Sequence, residues 1–246
     1  NKEIYSLQIE IKNSRIKCYK CMRPSSTCIC KHISPFKTKA RFIILMHPKE
    51  YKKEKNGTGH MTKLQLKNSE IIVGVDFTNN LRVNEILTKE KNSFLLYPGK
   101  DNFNLSIRES SEINSFMGTN PHIFILDGTW PCARKMLKLS KNLQNLKRVS
   151  FDNKIKSKFI IKQQPNSLCL STIESVYTVL NLLKEGDLEQ CETKDFLIPF
   201  EKMIEHQLEY LLNPNSKNYS STAKKTIITK DMYKKSTERN IIFELE

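Results

Sequence analysis

Long hydrophobic runs are missing from this chain of 246 residues. Residues 42–46 and 123–126 are among the longest apolar runs, and both are far too short to cross a bilayer. The first thirty residues lack the apolar stretch of a secretory signal peptide. We therefore expect a soluble, cytoplasmic protein with no membrane partner. With 38% hydrophobic residues, a chain of this length can bury one main core and a small appended module.

Acidic residues are scarce in two parts of the chain. Residues 11–49 hold ten Lys or Arg and no Asp or Glu, and residues 131–162 hold ten with only Asp152 on the acidic side. The net charge of +15 favours association with nucleic acid or an acidic membrane surface, although an ordinary solvated face can have the same composition. Tyr19 and Phe159 lie among these basic residues and could stack on an exposed base. Core packing is the more common use of such aromatic residues.

Four of the seven cysteines lie within thirteen residues in the pattern C-x2-C-x6-C-x-C. These are Cys18, Cys21, Cys28 and Cys30. Such short spacings suit a tetrahedral zinc ion, because each loop can direct two sulfurs at one metal. Disulfides or unpaired buried thiols are the alternatives, but the other three cysteines are scattered singly and their number is odd. A zinc ion with four sulfur ligands has no open coordination position and would be structural.

Short apolar runs predict the strands of the main domain. They occupy residues 41–46, 71–75, 94–97, 122–126 and 148–151, and residues 167–170 are a candidate for a further short strand before a helix. Helical spacing of apolar residues predicts helices after Pro131, from Ile173 to a stop at Gly186, and around residues 200–211. Strands that alternate with helices predict an α/β fold with a mostly parallel sheet, whose ligand sites collect at the carboxyl ends of the strands.

Composition divides the chain into three parts. We expect a zinc knuckle over residues 12–36 and a catalytic α/β domain over residues 37–212. Residues 213–246 are rich in Asn, Ser, Lys and Thr, which predicts a polar tail outside the globular part.

Asp127 is the strongest candidate for a functional side chain. It follows the apolar run 122–126 and precedes Gly128, Thr129 and Trp130, so it lies at the carboxyl edge of a predicted strand. Capping of the next helix by the aspartate or the threonine explains the pattern equally well, and a lone Trp is usually a core residue.

Two further segments carry polar residues after predicted strands. Ser171, Thr172 and Glu174 have the spacing of a capping box, which alone accounts for them adequately. The pair His47 and Glu50, with Thr58 and Gly59 shortly after, follows the first strand, and a solvated loop is the simpler interpretation of these residues.

Taken in order, these motifs resemble the DTW-domain family, which is named for its Asp-x-Thr-Trp motif. The resemblance rests on the cysteine pattern, on His47-Pro48-x-Glu50 with Thr58-Gly59, on Leu96-Tyr97-Pro98, on the segment from Asp127 to Lys135, and on Ser171-Thr172-x-Glu174. It covers residues 18–183, and the order of the motifs is more specific than any one of them.

The resemblance implies a tRNA-uridine aminocarboxypropyltransferase. Such an enzyme moves the 3-amino-3-carboxypropyl group of S-adenosylmethionine to N3 of a uridine in tRNA and releases methylthioadenosine. It also implies a SPOUT-like sheet, knotted at the cofactor pocket, which would be a rare departure from unknotted topology. Relatives with this cysteine pattern imply zinc.

Under this interpretation Asp127 is the catalytic residue that takes or orients the N3 proton, because uridine N3 carries a proton at neutral pH and Asp127 is the only acid of the central motif. We expect the cofactor to contact Leu96, Pro98, Thr129, Trp130, Arg134, Ser171, Thr172 and Glu174. We expect the RNA substrate to contact His47, Glu50, Thr58, Lys135 and Lys138. Arg134 could instead meet a phosphate or solvent, and Glu174 could merely close its capping box.

Three other functions fit the same residues. A methyltransferase would keep the fold and cofactor but move another group to RNA. A non-catalytic RNA-binding protein would use Asp127 and Glu174 only as caps. Transfer of the same group to ribosomal RNA is the third, although the cysteine pattern and the Asp-x-Thr-Trp spacing resemble the tRNA branch.

Overall fold

The structure is a computed structural model that describes residues 16–53, 57–99, 101–153, 156–159, 161, 169–213 and 215. The described part of the chain contains no helix that is long and apolar enough to span a membrane. Except for residues 213 and 215, the predicted polar tail lies outside the described residues.

A sheet of six parallel strands forms the centre of the protein, in the order β2-β1-β5-β3-β6-β4. The strands are β1 (Arg41–Met46), β2 (Glu70–Val73), β3 (Ser93–Leu96), β4 (Asn102–Asn104), β5 (His122–Asp127) and β6 (Lys147–Ser150). Strand β5 is inserted between β1 and β3, so the two strands that carry the first and the central motif are neighbours. The first five predicted strands and the parallel arrangement are confirmed, whereas residues 169 and 170 of the further candidate are in no strand and residues 167 and 168 lie outside the described part of the chain.

Eight helices cover both faces of the sheet in the described chain, six of them between strands and two after β6. They are α1 (Pro48–Lys53), α2 (Thr58–Gln65), α3 (Leu81–Lys89), α4 (Ser110–Met117), α5 (Trp130–Leu139), α6 (Lys141–Gln144), α7 (Thr172–Glu185) and α8 (Ile198–Leu212). The three predicted helical regions are confirmed. Helices α1 to α4 and the short edge strand β4 were not predicted.

Alternation along the strands separates two hydrophobic cores. In β5, Ile123 and Ile125 pack toward α2, α4, α7 and α8, whereas Phe124 packs toward α3, α5 and α6. Asp127 falls on the same side as Ile123 and Ile125, because the three are spaced two residues apart along the strand. The end of β5 therefore directs its carboxylate toward α2 and α7.

The cysteine-rich segment folds as a small unit against the first of these cores. Lys17 and Pro24 form an isolated bridge, and two short 3-10 turns follow at Ser25–Thr27 and Cys30–His32. Ile29 is buried in the core, and the second turn packs against α8. The segment thus shares the core of the main domain, and its assignment as a separate zinc knuckle stays a prediction.

Candidate active site and metal centre

The four clustered cysteines bring their sulfurs to one point. All four Sγ atoms lie within 4.8 Å of one another, with 3.5 Å between Cys18 and Cys30 and 3.7 Å between Cys21 and Cys28. Tetrahedral bonds of about 2.3 Å to zinc would separate ligand sulfurs by about 3.8 Å. None of these cysteines forms a disulfide. The cluster has the geometry of a metal site and could hold a metal ion.

The surroundings of these cysteines shift the pKa values of their thiols and bring one cationic side chain close to the sulfurs. Hydrogen bonds from the backbone of Cys21 and Lys20 lower the pKa of the Cys18 thiol to about 6. Burial raises the pKa of Cys30, so its thiolate needs a nearby positive charge. Arg23 is only 4% exposed, and burial lowers its pKa while the charges of Cys21 and Cys28 raise it. Its guanidinium therefore lies close enough to the sulfurs to offset part of their negative charge.

A cavity of 940 Å³ opens at the carboxyl edge of the sheet. The ends of β3, β5 and β6 meet the starts of α2, α5 and α7 there, as expected for a parallel α/β sheet. Most of the predicted site residues line it. These are Glu50, Thr58, Leu96, Pro98, Asp127, Thr129, Trp130, Ser171 and Thr172.

Asp127 is a buried acid that lines this cavity, with 7% of its surface exposed. Thr172, the first residue of α7, donates a hydrogen bond from Oγ1 to Asp127 Oδ1 at 2.5 Å. A Cβ atom at Gly59, in the first turn of α2, would overlap the carboxylate and Met46 Cε. Two helix amino termini thus converge on Asp127, and their dipoles favour its ionised form.

The structure does not use Asp127 to cap the helix that follows it. The N-cap position of α5 is Thr129, and its hydroxyl makes no capping hydrogen bond. The Asp127 carboxylate instead accepts the Thr172 hydroxyl 45 positions later in the chain. Such a carboxylate, held by a donor and lining a cavity, can accept a proton or hold a cation.

Trp130 belongs both to the core and to the cavity wall. Its ring meets that of Tyr97 edge-on at 6.3 Å between centroids, and both side chains line the cavity. Arg148 lies over the Tyr97 ring at 5.9 Å. Burial raises the pKa of Tyr97, while the charges of Arg134 and Arg148 lower it, so both guanidinium groups lie near the phenol. Arg148 is a basic residue beside the cavity that the sequence did not single out.

The capping box at the start of α7 is confirmed, and its glutamate also binds residues outside the helix. Glu174 accepts hydrogen bonds from Ser171 N at 2.9 Å and from Ser171 Oγ at 2.6 Å. It also accepts from Ser157 Oγ at 2.8 Å and from Lys158 N at 2.7 Å. Phe159, the next residue, lines the cavity and packs on Phe200 of α8. Glu174 itself lies outside the cavity lining and holds one wall of it in place.

The residues after β1 support the site from the other side. His47 is buried, donates its backbone N–H to the Asp127 carbonyl oxygen at 2.9 Å, and accepts the Lys49 amide at Nδ1 at 3.1 Å. It does not line the cavity, so its position is that of a support. Glu50 is 8% exposed and lines the cavity as a second buried acid, together with Thr58 at the start of α2.

The three predicted basic residues of α5 lie outside the cavity. Arg134, Lys135 and Lys138 are all exposed, so they are available to a partner at the surface. Sequence reasoning missed the role of Gly59, whose closeness to Asp127 depends on a contact between residues 68 positions apart. It also favoured core packing for Phe159, which is correct, and for Tyr19, which is wrong because Tyr19 is 96% exposed.

The family model described as "DTW domain" matches residues 15–208. The chain belongs to the DTW-domain family. The motif that names the family is the segment from Asp127 to Trp130 at the end of β5, on the wall of the cavity.

Several relatives of this DTW-domain chain carry the name tRNA-uridine aminocarboxypropyltransferase 2. The Drosophila melanogaster protein is 29% identical over 215 residues, which cover 84% of this chain and 81% of the relative. The proteins of Macaca fascicularis and Mus musculus are 25% and 24% identical over 216 residues, covering 84% of this chain and 68% of each relative. No solved structure matches the chain significantly.

Replacing Glu174 by alanine should loosen the cavity wall at residues 156–159. The change removes four hydrogen bonds and leaves buried donors unpaired, so we expect a loss of roughly 2–4 kcal/mol in the free energy of unfolding. Trypsin should also cut after Lys156 or Lys158 several times faster, as measured by mass spectrometry of the fragments.

Glu112→Ala is the matched control. Glu112 closes the same kind of capping box at the start of α4, but it is exposed and paired with Arg108 rather than with the cavity wall. It should cost only about 1 kcal/mol and leave tryptic cleavage at Lys156 and Lys158 unchanged. Equal cleavage rates in the two variants would contradict the positioning role of Glu174.

Proposed function

We propose that this DTW-domain protein transfers the 3-amino-3-carboxypropyl group of S-adenosylmethionine to N3 of a uridine in tRNA. The names of its relatives support the reaction and the substrate. The observation that carries the proposal is Asp127, a buried carboxylate of the family motif that lines a cavity and is oriented by Thr172.

The proposed step needs a base and an exact alignment of two molecules. A bond forms between uridine N3 and the first carbon of the aminocarboxypropyl chain, the bond from that carbon to sulfur breaks, and the N3 proton leaves. Asp127 takes or orients this proton, because it is the acid of the family motif and its ionised form is stabilised by Thr172 and two helix termini. Methyl transfer from the same donor differs only in which carbon faces the nucleophile, so orientation within the cavity decides the product.

Several residues of the cavity wall are candidates for contacts with the donor. S-adenosylmethionine would supply the transferred group, and the donor contacts would come from Leu96, Pro98, Thr129, Trp130, Ser171 and Thr172, which all line the cavity. The donor carries positive charge on its sulfonium and amino groups, which the buried carboxylates Asp127 and Glu50 complement. Glu174 acts indirectly, through Ser171 and the segment 156–159.

The exposed basic residues of α5 would meet the RNA backbone. Arg134, Lys135 and Lys138 lie outside the cavity on one helix that begins at its rim. Phosphate contacts supply affinity and position without reading sequence, which suits long side chains on a solvated face. We therefore favour a phosphate over the donor carboxylate as the partner of Arg134.

The relation of the DTW-domain family to the SPOUT class implies that the chain is knotted at this site. The position of the cavity, where β5 is inserted between β1 and β3, supports this proposal. Residues 162–168, between β6 and α7, lie outside the described part of the chain. A crystal structure that traces this segment through a loop would establish the knot, and an unthreaded crossing would exclude it.

The direct test of the reaction is a product analysis. Purified protein is incubated with unmodified tRNA and S-adenosylmethionine. The RNA is then digested, and the masses of its nucleosides are measured by mass spectrometry. We expect aminocarboxypropyl-uridine together with an equal amount of methylthioadenosine. A methylated nucleoside would replace the proposed transfer by methylation, and no product from any tRNA of the same cell would exclude the proposed function.

Asp127→Asn should lower kcat/KM for this product about 10²- to 10⁴-fold, because the amide cannot accept the N3 proton. Its side-chain oxygen can still accept the Thr172 hydroxyl, so the fold and tRNA affinity should persist. Asp187→Asn is the control, since Asp187 is exposed at the far end of α7 in the left-handed conformation that asparagine tolerates. Full activity in Asp127→Asn would exclude the base role.

Zinc should occupy the cysteine cluster in a ratio of one ion per chain. We expect this content from plasma emission of protein purified without chelator, because four sulfurs at these distances suit zinc. Cys28→Ser should lose most of the metal and unfold at lower temperature, whereas Cys191→Ser, outside the cluster, should keep its metal. Wild-type protein free of zinc would refute the assignment.

A further inference from the structure

The turn between the first two cysteines of the cluster and the residues beside it expose apolar side chains that would normally be buried. Tyr19 is 96% exposed, Met22 59% and Ile16 79%. Lys17 and Lys20 are exposed beside them. We call Lys17, Tyr19, Lys20 and Met22 the knuckle tip. Its pattern of one aromatic ring between two lysines is the composition of a nucleic-acid contact.

The knuckle tip is held in this shape by the backbone around it. The Met22 amide donates to the Cys18 carbonyl oxygen at 2.7 Å, and the Cys18 amide donates to the Arg23 carbonyl oxygen at 2.8 Å. Met22 has φ = 60°, a left-handed conformation that is uncommon for a residue with a side chain. The cysteines on both sides of Tyr19 thus fix its backbone while leaving the ring in solvent.

The tip belongs to a unit that shares helix α8 with the wall of the cavity. His32 lies near Lys202 and His206, and the 3-10 turn that it ends packs against α8. Lys158, beside the cavity wall, pairs with Glu201 of the same helix. Residues 201 and 206 are separated by roughly 8 Å along a helix. One folded RNA could therefore reach both the cavity and the cysteine-rich unit.

The charge of the cysteine-rich unit indicates the kind of partner more clearly than its exposed apolar area does. Residues 16–49 contain no acidic residue, so the cysteine-rich segment itself contributes no carboxylate that would repel a polyanion. The exposed side chains of Ile16, Tyr19 and Met22 are too little surface for a stable protein interface, which usually buries about 800 Å² on each partner. A single ring suffices to stack on one base.

We propose that the knuckle tip is a second tRNA contact, in which the Tyr19 ring stacks on an exposed base while Lys17 and Lys20 meet the adjacent phosphates. The partner is the tRNA of the proposed function, and the contact lies apart from the catalytic cavity. The tip therefore contributes to the affinity for tRNA and takes no part in group transfer.

The test measures tRNA affinity and turnover of Tyr19→Ala, Tyr19→Phe and the wild type. Loss of one base-stacking ring should weaken tRNA binding about 5- to 150-fold and raise KM for tRNA, with kcat unchanged. Tyr19→Phe keeps the stacking face and should bind within about twofold of the wild type. Tyr210→Ala is the matched control, because Tyr210 is 40% exposed on α8 outside the tip.

Lys20→Ala provides an independent readout. It should reduce the slope of log affinity against log salt by about 0.7–0.9, as expected for one phosphate contact, whereas Tyr19→Ala should leave the slope unchanged. Unchanged tRNA affinity in Tyr19→Ala would overturn the proposal and leave the tip to another partner. Wild-type protein that binds tRNA through Tyr19 but forms no aminocarboxypropyl-uridine would keep this contact and refute only the proposed function.

Discussion

The hydrogen bond from Thr172 to Asp127 joins the two parts of the chain on which the cavity depends. Asp127 ends the strand inserted between β1 and β3, and Thr172 begins the helix that covers that strand. The close approach of Gly59 brings the start of α2 to the same carboxylate. A single buried charge thus fixes the positions of one strand and two helices, and its burial is tolerable because hydroxyl and helix-terminal dipoles replace water.

The arrangement extends outward from this carboxylate through a second one. Glu174 lies two residues after Thr172 and joins α7 to residues 157 and 158, and Phe159 then packs on α8. The inner acid lines the cavity, whereas the outer one is saturated by protein donors. Asp127 and Glu174, which both lie near the start of α7, therefore have different uses, because only Asp127 lines the cavity that a ligand can enter.

The sequence predicted those features that depend on local patterns. Five strands were found because they are short buried runs, and the cysteine cluster because its ligands are close in sequence. Helix α2 was missed because its buried side is polar, with Thr58, Thr62 and Gln65 inward, so no apolar stripe indicates it. The contact of Gly59 with Asp127 and the exposure of Tyr19 depend on tertiary packing and on a backbone turn, which periodicity does not report.

The buried guanidinium of Arg23 would also affect the net charge of the cysteine-rich unit if a divalent ion occupied the cysteine cluster. Four thiolates around such an ion carry a net charge of −2, which by itself would repel a polyanion. Arg23 beside the sulfurs cancels half of this charge inside the unit, and the surrounding lysines reverse the sign of the potential at its surface. With such an ion bound, residues 16–32 would therefore carry a net positive charge in spite of the anionic centre, and that sign would be set by side chains that do not coordinate the metal.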